Sequence, residues 1–242
     1  MITEDNRQSV LKTYYSKYLT DARGLNQSSV GHYLDALNNI SRRLKNKNLV
    51  KNDIYEISEL DILIKYREIL FSDPDFIELD SRGRRMYSSG LNNYIRFASG
   101  DEFRTAVMNI TEFDTPIAPP VTVSSDQTTW RRSGILRSQI LVIANYTCEI
   151  NKNHETFIAE KTRHPFMESH HIIPMRFQND FEYSLDVYAN LICLCPICHR
   201  KIHYGLKQER KDMMKRILSD REERLIHSGI SLCSEDIIEM VI

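Results

Sequence analysis

The stretch from Glu168 to Gly205, ESHHIIPMRFQNDFEYSLDVYANLICLCPICHRKIHYG, constrains this chain more than any other. It holds four of the eight histidines and three of the five cysteines. Their order is a His170-His171 pair, an isolated Asn190, a Cys195-x-x-Cys198 pair, then His199 and His203. Such groups can share metal ions only if the backbone brings them together. The local pattern says how. Glu168 to Met175 reads as a short edge strand closed by Pro174, and Met175 to Ala189 as a loop. Leu191 to Leu194 reads as a second short strand. Cys195-Pro196-Ile197-Cys198 is a knuckle whose proline suits the first turn of a helix. From His199 onward a helix is expected, with His199 and His203 four apart on one face. Strand, loop, strand and helix would set His171 close to His199.

This order resembles the HNH endonucleases, the ββα-metal fold of restriction enzymes, homing endonucleases and defence nucleases. The residues that carry the resemblance are His170-His171-Ile172-Ile173-Pro174, Asn190-Leu191 and Leu194-Cys195-Pro196-Ile197-Cys198-His199. It extends over about residues 147–205. It implies His171 as general base on the attacking water, a role suited to a neutral imidazole near pH 7. It implies His170, where the family often has Asp, and His199 as ligands of a catalytic divalent ion (Mg, Mn or Ni). Asn190 would hold the loop that aims the base. His203, Arg200, Lys201 and Arg176 are the candidate DNA contacts, His203 alternatively just finishing the helix. Two histidine ligands without an Asp would let borderline metals serve as well as Mg.

A closed structural zinc needs four ligands, and Cys195 and Cys198 supply two. Many relatives carry a second Cys-x-x-Cys upstream, whereas here Cys148 is followed by Glu149, Ile150 and Asn151. His154 is the best fourth ligand, with His164 in reserve; the alternative is a loop His154 and a buried Cys148. A redox dithiol fits poorly, because no thioredoxin-like strand and helix precede the motif.

Five cysteines, an odd number mostly inside this cluster, argue for a reducing cytoplasm rather than disulfides. The polar start MITEDNRQSV carries no apolar signal segment, and no run approaches a membrane span. Net charge is −1, so the whole chain does not advertise a nucleic-acid partner. The charge is uneven, however. Residues 130–216 carry fourteen Lys/Arg against nine Asp/Glu, the positive field that a phosphate backbone requires.

Residues 1–113 read as helical. Val10 to Leu19 has apolar and aromatic positions at helical spacing. Ser28-Ser29 would cap a second helix with Val30, Tyr33, Leu34, Leu37, Ile40 and Leu44 on one face. Ser58-Glu59-Leu60 would start a third that runs to Phe71, Asp73-Pro74 a short turn, and Tyr87 to Phe97 a last amphipathic helix. The Ser, Tyr, Leu order resembles the DNA-clasping helical domains of phage-type recombinases; a plain helical bundle has the same pattern. Arg42, Arg43, Lys45, Lys47, Arg82, Arg84, Arg85 and Arg96 are the basic groups that could touch DNA there. Asp114 to Thr129, with three prolines and no apolar periodicity, is expected to be an extended linker. Ile135 to Ala144 would pack a helix on the ββα unit, residues 207–227 would form one charged helix, and Ser234 to Met240 a short amphipathic end.

The expectation is an α+β protein: an all-α domain at 1–113, a linker at 114–129, and a ββα-metal domain with structural zinc and C-terminal helices at 130–242. The expected activity is metal-dependent hydrolysis of DNA in restriction or phage defence, with a homodimer as a route to a double-strand cut. The alternative is a zinc-stabilised DNA-binding or interaction module with an inactive site; an RNA-cleaving or toxin-like enzyme is a third reading.

Overall fold

The computed structural model describes residues 9–105, 110–119, 130 and 132–242. The first eight residues of the expected helical domain and most of the expected linker, 120–129, lie outside the described residues. The chain divides into two compact units, one of residues 11–108 with 133–135, the other of 1–10, 109–132 and 136–242.

In the first unit α1 (Val10–Lys17) runs into a π-helical turn, Tyr18–Ala22. Then come α2 (Gln27–Asn46), α3 (Leu60–Phe71), α4 (Pro74–Arg82), α5 (Met86–Ser99) and α6 (Asp101–Thr105). Helix α2 starts before the expected Ser28-Ser29 cap. Asn26 is the cap, its side-chain oxygen accepting the Ser29 N–H at 2.9 Å, the bond that a preferred N-cap residue supplies. Asp73-Pro74, expected to be a short turn, opens a nine-residue helix instead. The Asp73 carboxylate accepts the Asp75 N–H at 3.0 Å, and Pro74 sits where its missing N–H costs nothing.

The core of this unit is aromatic. Tyr15 packs edge-on to Tyr94 at 5.0 Å and tilted to Phe97 at 5.4 Å, and Tyr55 closes on Tyr94 at 5.3 Å. Such pairs add about 0.5–1.5 kcal/mol each beyond the area they bury. Gly90 lets α5 approach α2, since a Cβ there would meet the Ala36 methyl at 2.8 Å. Between α4 and α5, Arg84 (φ 51°) and Arg85 (φ 61°) are both left-handed, a conformation costing roughly 1–2 kcal/mol per non-glycine residue. Asp80 holds the turn: its carbonyl accepts the Arg85 N–H at 2.7 Å and its carboxylate the Ser88 N–H at 2.9 Å.

The second unit is α+β. It contains α7 (Gly134–Ile143) from Leu136 on, β1 (Glu168–His171), β2 (Leu191–Leu194), α8 (Pro196–Tyr204), α9 (Lys207–Ser219), α10 (Glu222–His227) and α11 (Ser234–Val241). Strands β1 and β2 are antiparallel, with Glu168 opposite Leu194 and His171 opposite Leu191. A two-stranded ribbon is marginal alone, and here its surroundings support it. Tyr188, fully buried, donates its hydroxyl to Gln139 of α7 at 2.7 Å, and Arg137 of α7 reaches Ser169 of β1. The expected strand to Pro174 stops at His171, because Asn190 captures the backbone beyond it. Its side chain accepts the Ile173 N–H at 2.8 Å and donates to the carbonyls of Ile173 and Leu185 at 2.9 and 2.8 Å. Ile172 and Ile173 are buried beyond the strand end.

Two further segments differ from the sequence pattern for long-range reasons. The charged stretch 207–227 is two helices, broken at Asp220-Arg221. There Arg221 turns inward, 7% exposed, to pair with Glu149 and donate to the Tyr188 carbonyl. Residues 114–119 have no regular secondary structure but are packed. Asp114 accepts the Arg224 guanidinium at 2.6 and 3.0 Å, and the Ile117 carbonyl accepts the Ser184 N–H at 2.8 Å. Among the described residues, no helix is long and apolar enough to cross a membrane.

Candidate metal centres and active site

Helix α8 presents two separate clusters of metal-ligating side chains. Cys195 caps the helix, its sulfur accepting the Cys198 N–H at 3.4 Å, which sets both sulfurs on one side of the knuckle. Cys148 and His154 arrive from the loop after α7, which is pinned to β2 by reciprocal bonds between Glu149 and Cys193 at 2.8 and 2.9 Å. The ligand atoms of Cys148, His154, Cys195 and Cys198 all lie within 4.8 Å of one another, and His154 Nδ1 is 3.4 Å from each of the sulfurs of Cys195 and Cys198.

A tetrahedral ion with Zn–S near 2.3 Å and Zn–N near 2.0–2.1 Å separates its S and N ligands by about 3.5 Å, so these four groups fit zinc. Burial opposes ionisation of Cys148, but hydrogen bonds from the Cys195 and Asn151 backbone and from His154 outweigh it and lower the thiol to about 7. Burial and the adjacent sulfurs push Cys198 up; a bound cation would offset that. His164, the reserve ligand, is outside the group and stacks on Tyr146 at 4.2 Å. Cys193 is buried in β2 and also outside it.

One turn along α8 and across to β1 stands the second cluster. His170, His199 and His203 bring their ring nitrogens within 4.8 Å of one another, with ring centroids 4.9–5.1 Å apart. Burial, then the neighbouring imidazoles of His199 and His203, push His170 down to about 3, and burial with His199 lowers His203 as well. At neutral pH both are uncharged, the form in which imidazole ligates a metal. The group is graded in exposure, from a buried His170 to an exposed His203. It offers three ligands and an open side, the pattern of a site that keeps a position for water or substrate. His203, read from the sequence beside phosphate contacts, lies inside this cluster.

Glu168, which the sequence reading passed over, accepts from His199 Nδ1 at 2.8 Å. That bond fixes the ring with Nε2 facing the cluster. The signal was present, since Glu168 and His170 are two apart on a strand and so share a face.

His171 stands outside the three-histidine group. Its Nε2 is 2.9 Å from the buried carboxylate of Asp186, and the two residues are 9% and 3% exposed. An ionised carboxylate only accepts, so this contact selects the tautomer with the proton on Nε2 and leaves Nδ1 as the nitrogen able to take one. Asp186 was likewise not singled out; it comes from the irregular segment that Asn190 anchors through Leu185. Of the expected phosphate contacts, Arg176 and Arg200 are exposed and close enough for their charge to act on His203. Lys201 is engaged with Glu209 at 2.6 Å.

The comparisons with known proteins bear on the same segment. The family model described as HNH endonuclease matches residues 147–205. The chain is also 31% identical over 87 residues to the type IV methyl-directed restriction enzyme EcoKMcrA of Escherichia coli (strain K12), a match covering 36% of this chain and 29% of that protein. The helix-bounded β1–β2–α8 unit, with its histidine cluster and Cys/His knuckle, is therefore an HNH endonuclease domain, spanning residues 147–205 of this chain.

Proposed function

We propose that this protein is a metal-dependent DNA endonuclease of the restriction type, which hydrolyses a phosphodiester with His171 as general base. The observation that carries the reading is the pairing of a three-histidine, open-sided cluster with a separate histidine whose tautomer a buried carboxylate selects. His170, His199 and His203 would hold a divalent ion, Mg, Mn or Ni. When bound, that ion supplies charge stabilisation on the scissile phosphate and the leaving oxygen.

The remaining work belongs to this chain's own groups. His171 Nδ1 would take a proton from the attacking water while Asp186 stabilises the imidazolium that results. Asn190, tied to Ile173 and Leu185 by three bonds, keeps the strand exit that carries His171 and the segment that carries Asp186 in register. Glu168 orients His199. Arg176 and Arg200 would meet the phosphates that flank the cut, and the Cys148/His154/Cys195/Cys198 zinc would hold the base of α8.

The test is cleavage of supercoiled plasmid with Mg, Mn or Ni, comparing wild type with His171→Ala, with methylated and unmethylated DNA run in parallel. A methyl-directed enzyme would cut only the methylated arm. Wild type should nick or linearise DNA, and His171→Ala should be slower by about 10²–10⁴-fold with zinc content and melting unchanged. Equal, metal-insensitive inertness of both proteins while DNA is still bound would replace this reading with that of a zinc-stabilised binding module.

A further inference from the structure

The N-terminal unit has a cleft of its own, of about 600 Å³. Four arginines from three places in the unit line it: Arg23 after the π-helical turn, Arg84 and Arg85 before α5, and Arg96 on α5. None of its lining residues is acidic. Of the four, only Arg96 has an ion pair among the described residues, with Glu102.

The cleft differs in this from the other large cleft of the unit, where Arg42 and Lys45 are balanced by Asp35 and Asp53. Asn92 and Asn93 also line it. The Asn93 side chain is 6% exposed, and its oxygen is occupied by the Tyr15 hydroxyl at 2.8 Å. The Asn92 oxygen accepts from Arg67 at 2.7 Å. In both amides the acceptor end is satisfied, which leaves the NH2 ends as donors. No hydrogen bond to the Asn93 NH2 occurs among the described residues, so it too is free to donate into the cleft that Asn93 lines.

The backbone adds an independent sign. The left-handed strain in the turn falls on Arg84 and Arg85, although Gly83 directly before them has an ordinary φ of −79°. Strain placed on side chains that carry charge, beside a residue that could have absorbed it, is a mark of a functional turn.

We infer that this cleft binds the phosphate backbone of DNA. A concave surface of guanidinium and amide donors without a carboxylate suits a chain of phosphate oxygens, which only accept. Four cations from three places suit repeated phosphates better than one. That the phosphates belong to DNA rests on the nuclease reading; that they are phosphates rests on the cleft alone.

The test is fluorescence anisotropy of a labelled 20-base-pair duplex with the zinc-loaded full chain carrying His171→Ala, so that cleavage is not the readout. Affinity is taken from about 50 to 200 mM salt. Arg84→Gln/Arg85→Gln should weaken binding about tenfold or more and lower the slope of log affinity against log salt by about two. Arg23→Gln, on a separate element, should lower it by about one, repeating the test without touching the strained turn. Arg42→Gln/Lys45→Gln, in the charge-balanced cleft, should change affinity less than twofold. Unchanged slopes in the cleft variants, or an equal loss in the Arg42/Lys45 control, overturn the inference. So does micromolar binding of ATP that is lost with Arg84 and Arg85 while duplex affinity is kept, which would make the ligand a free nucleotide. Arginine-dependent binding by a chain whose wild type cuts nothing would leave the cleft standing and remove only the nuclease.

Discussion

Helix α8 separates two Cys/His clusters that differ in closure. At its N-terminus Cys195 and Cys198 join Cys148 and His154 in a four-ligand group, three of whose members are buried. Along its next turns His199 and His203 join His170 in a three-ligand group that grades from buried to exposed. Four thiolate and imidazole ligands complete a tetrahedron and leave no position for chemistry, whereas three leave one. The same helix thus carries an anchor and an open site within two turns. On the proposed reading the closed group supports the open one, since a two-stranded ribbon and a nine-residue helix bury too little to hold three histidines in place unaided.

If the closed group is the anchor, breaking it should give the largest loss of stability in the molecule. Cys198→Ser, or removal of zinc by a strong chelator, should lower the melting of the C-terminal unit by more than about 10 °C, since structural zinc contributes on the order of 10 kcal/mol in isolated fingers and several would remain at stake here. His170→Ala, in the open group, should move it by no more than a few degrees. Melting curves followed by circular dichroism decide the matter. Equal losses from both variants would erase the distinction between anchor and site.

Asn190→Ala should fall between them. The side chain is fully buried and its three hydrogen bonds join the β1 exit to the segment before Asp186. Losing them strands the Ile173 N–H and two carbonyls, at a cost of about 2–4 kcal/mol. The zinc group does not touch Asn190, so bound zinc measured by mass spectrometry should stay at one per chain. Loss of zinc together with stability would mean that the two clusters are one cooperative element.

What could be read from the residues divides along the same line. The closed group was legible because its logic is a count: two cysteines at Cys-x-x-Cys spacing demand two more ligands, and the loop ahead offers Cys148 with His154 or His164, of which the structure groups His154. The histidines were legible as far as local geometry reaches, with His199 and His203 one helical turn apart. Asp186 was not, because an irregular segment has no period from which to read a direction, and only Asn190 fixes where it points. The break at Arg221 has only a faint local sign, Ser219-Asp220 ahead of Glu222 and Glu223, the pattern of a new helix start. Arg221 is held inward there by Glu149, which is 72 residues away in sequence. In the N-terminal unit, Asp73-Pro74 reads as a turn or as a helix start with equal right, and the nine residues after it decide.

The smallest expected effect is on Glu168, and it probes the open group most finely. Its carboxylate accepts from His199 Nδ1 at 2.8 Å, with both side chains about one-quarter exposed. Glu168→Gln keeps an oxygen that can accept the same bond but removes the negative charge that makes Nε2 a stronger donor to a metal. Side-chain partners of this kind are worth about 10–100-fold in metal affinity or activity when removed, and the amide, which retains the bond, should give the lower end, about tenfold. At this exposure the stability change should stay within about 0.5 kcal/mol. Titration calorimetry with Mn or Ni on zinc-loaded protein reads the affinity, and a melting curve reads the stability. A tenfold loss of affinity at constant melting temperature would make Glu168 part of the open site through His199. Unchanged affinity would mean that β1 and α8 alone orient His199, and that the open group, like the closed one, is held by its backbone.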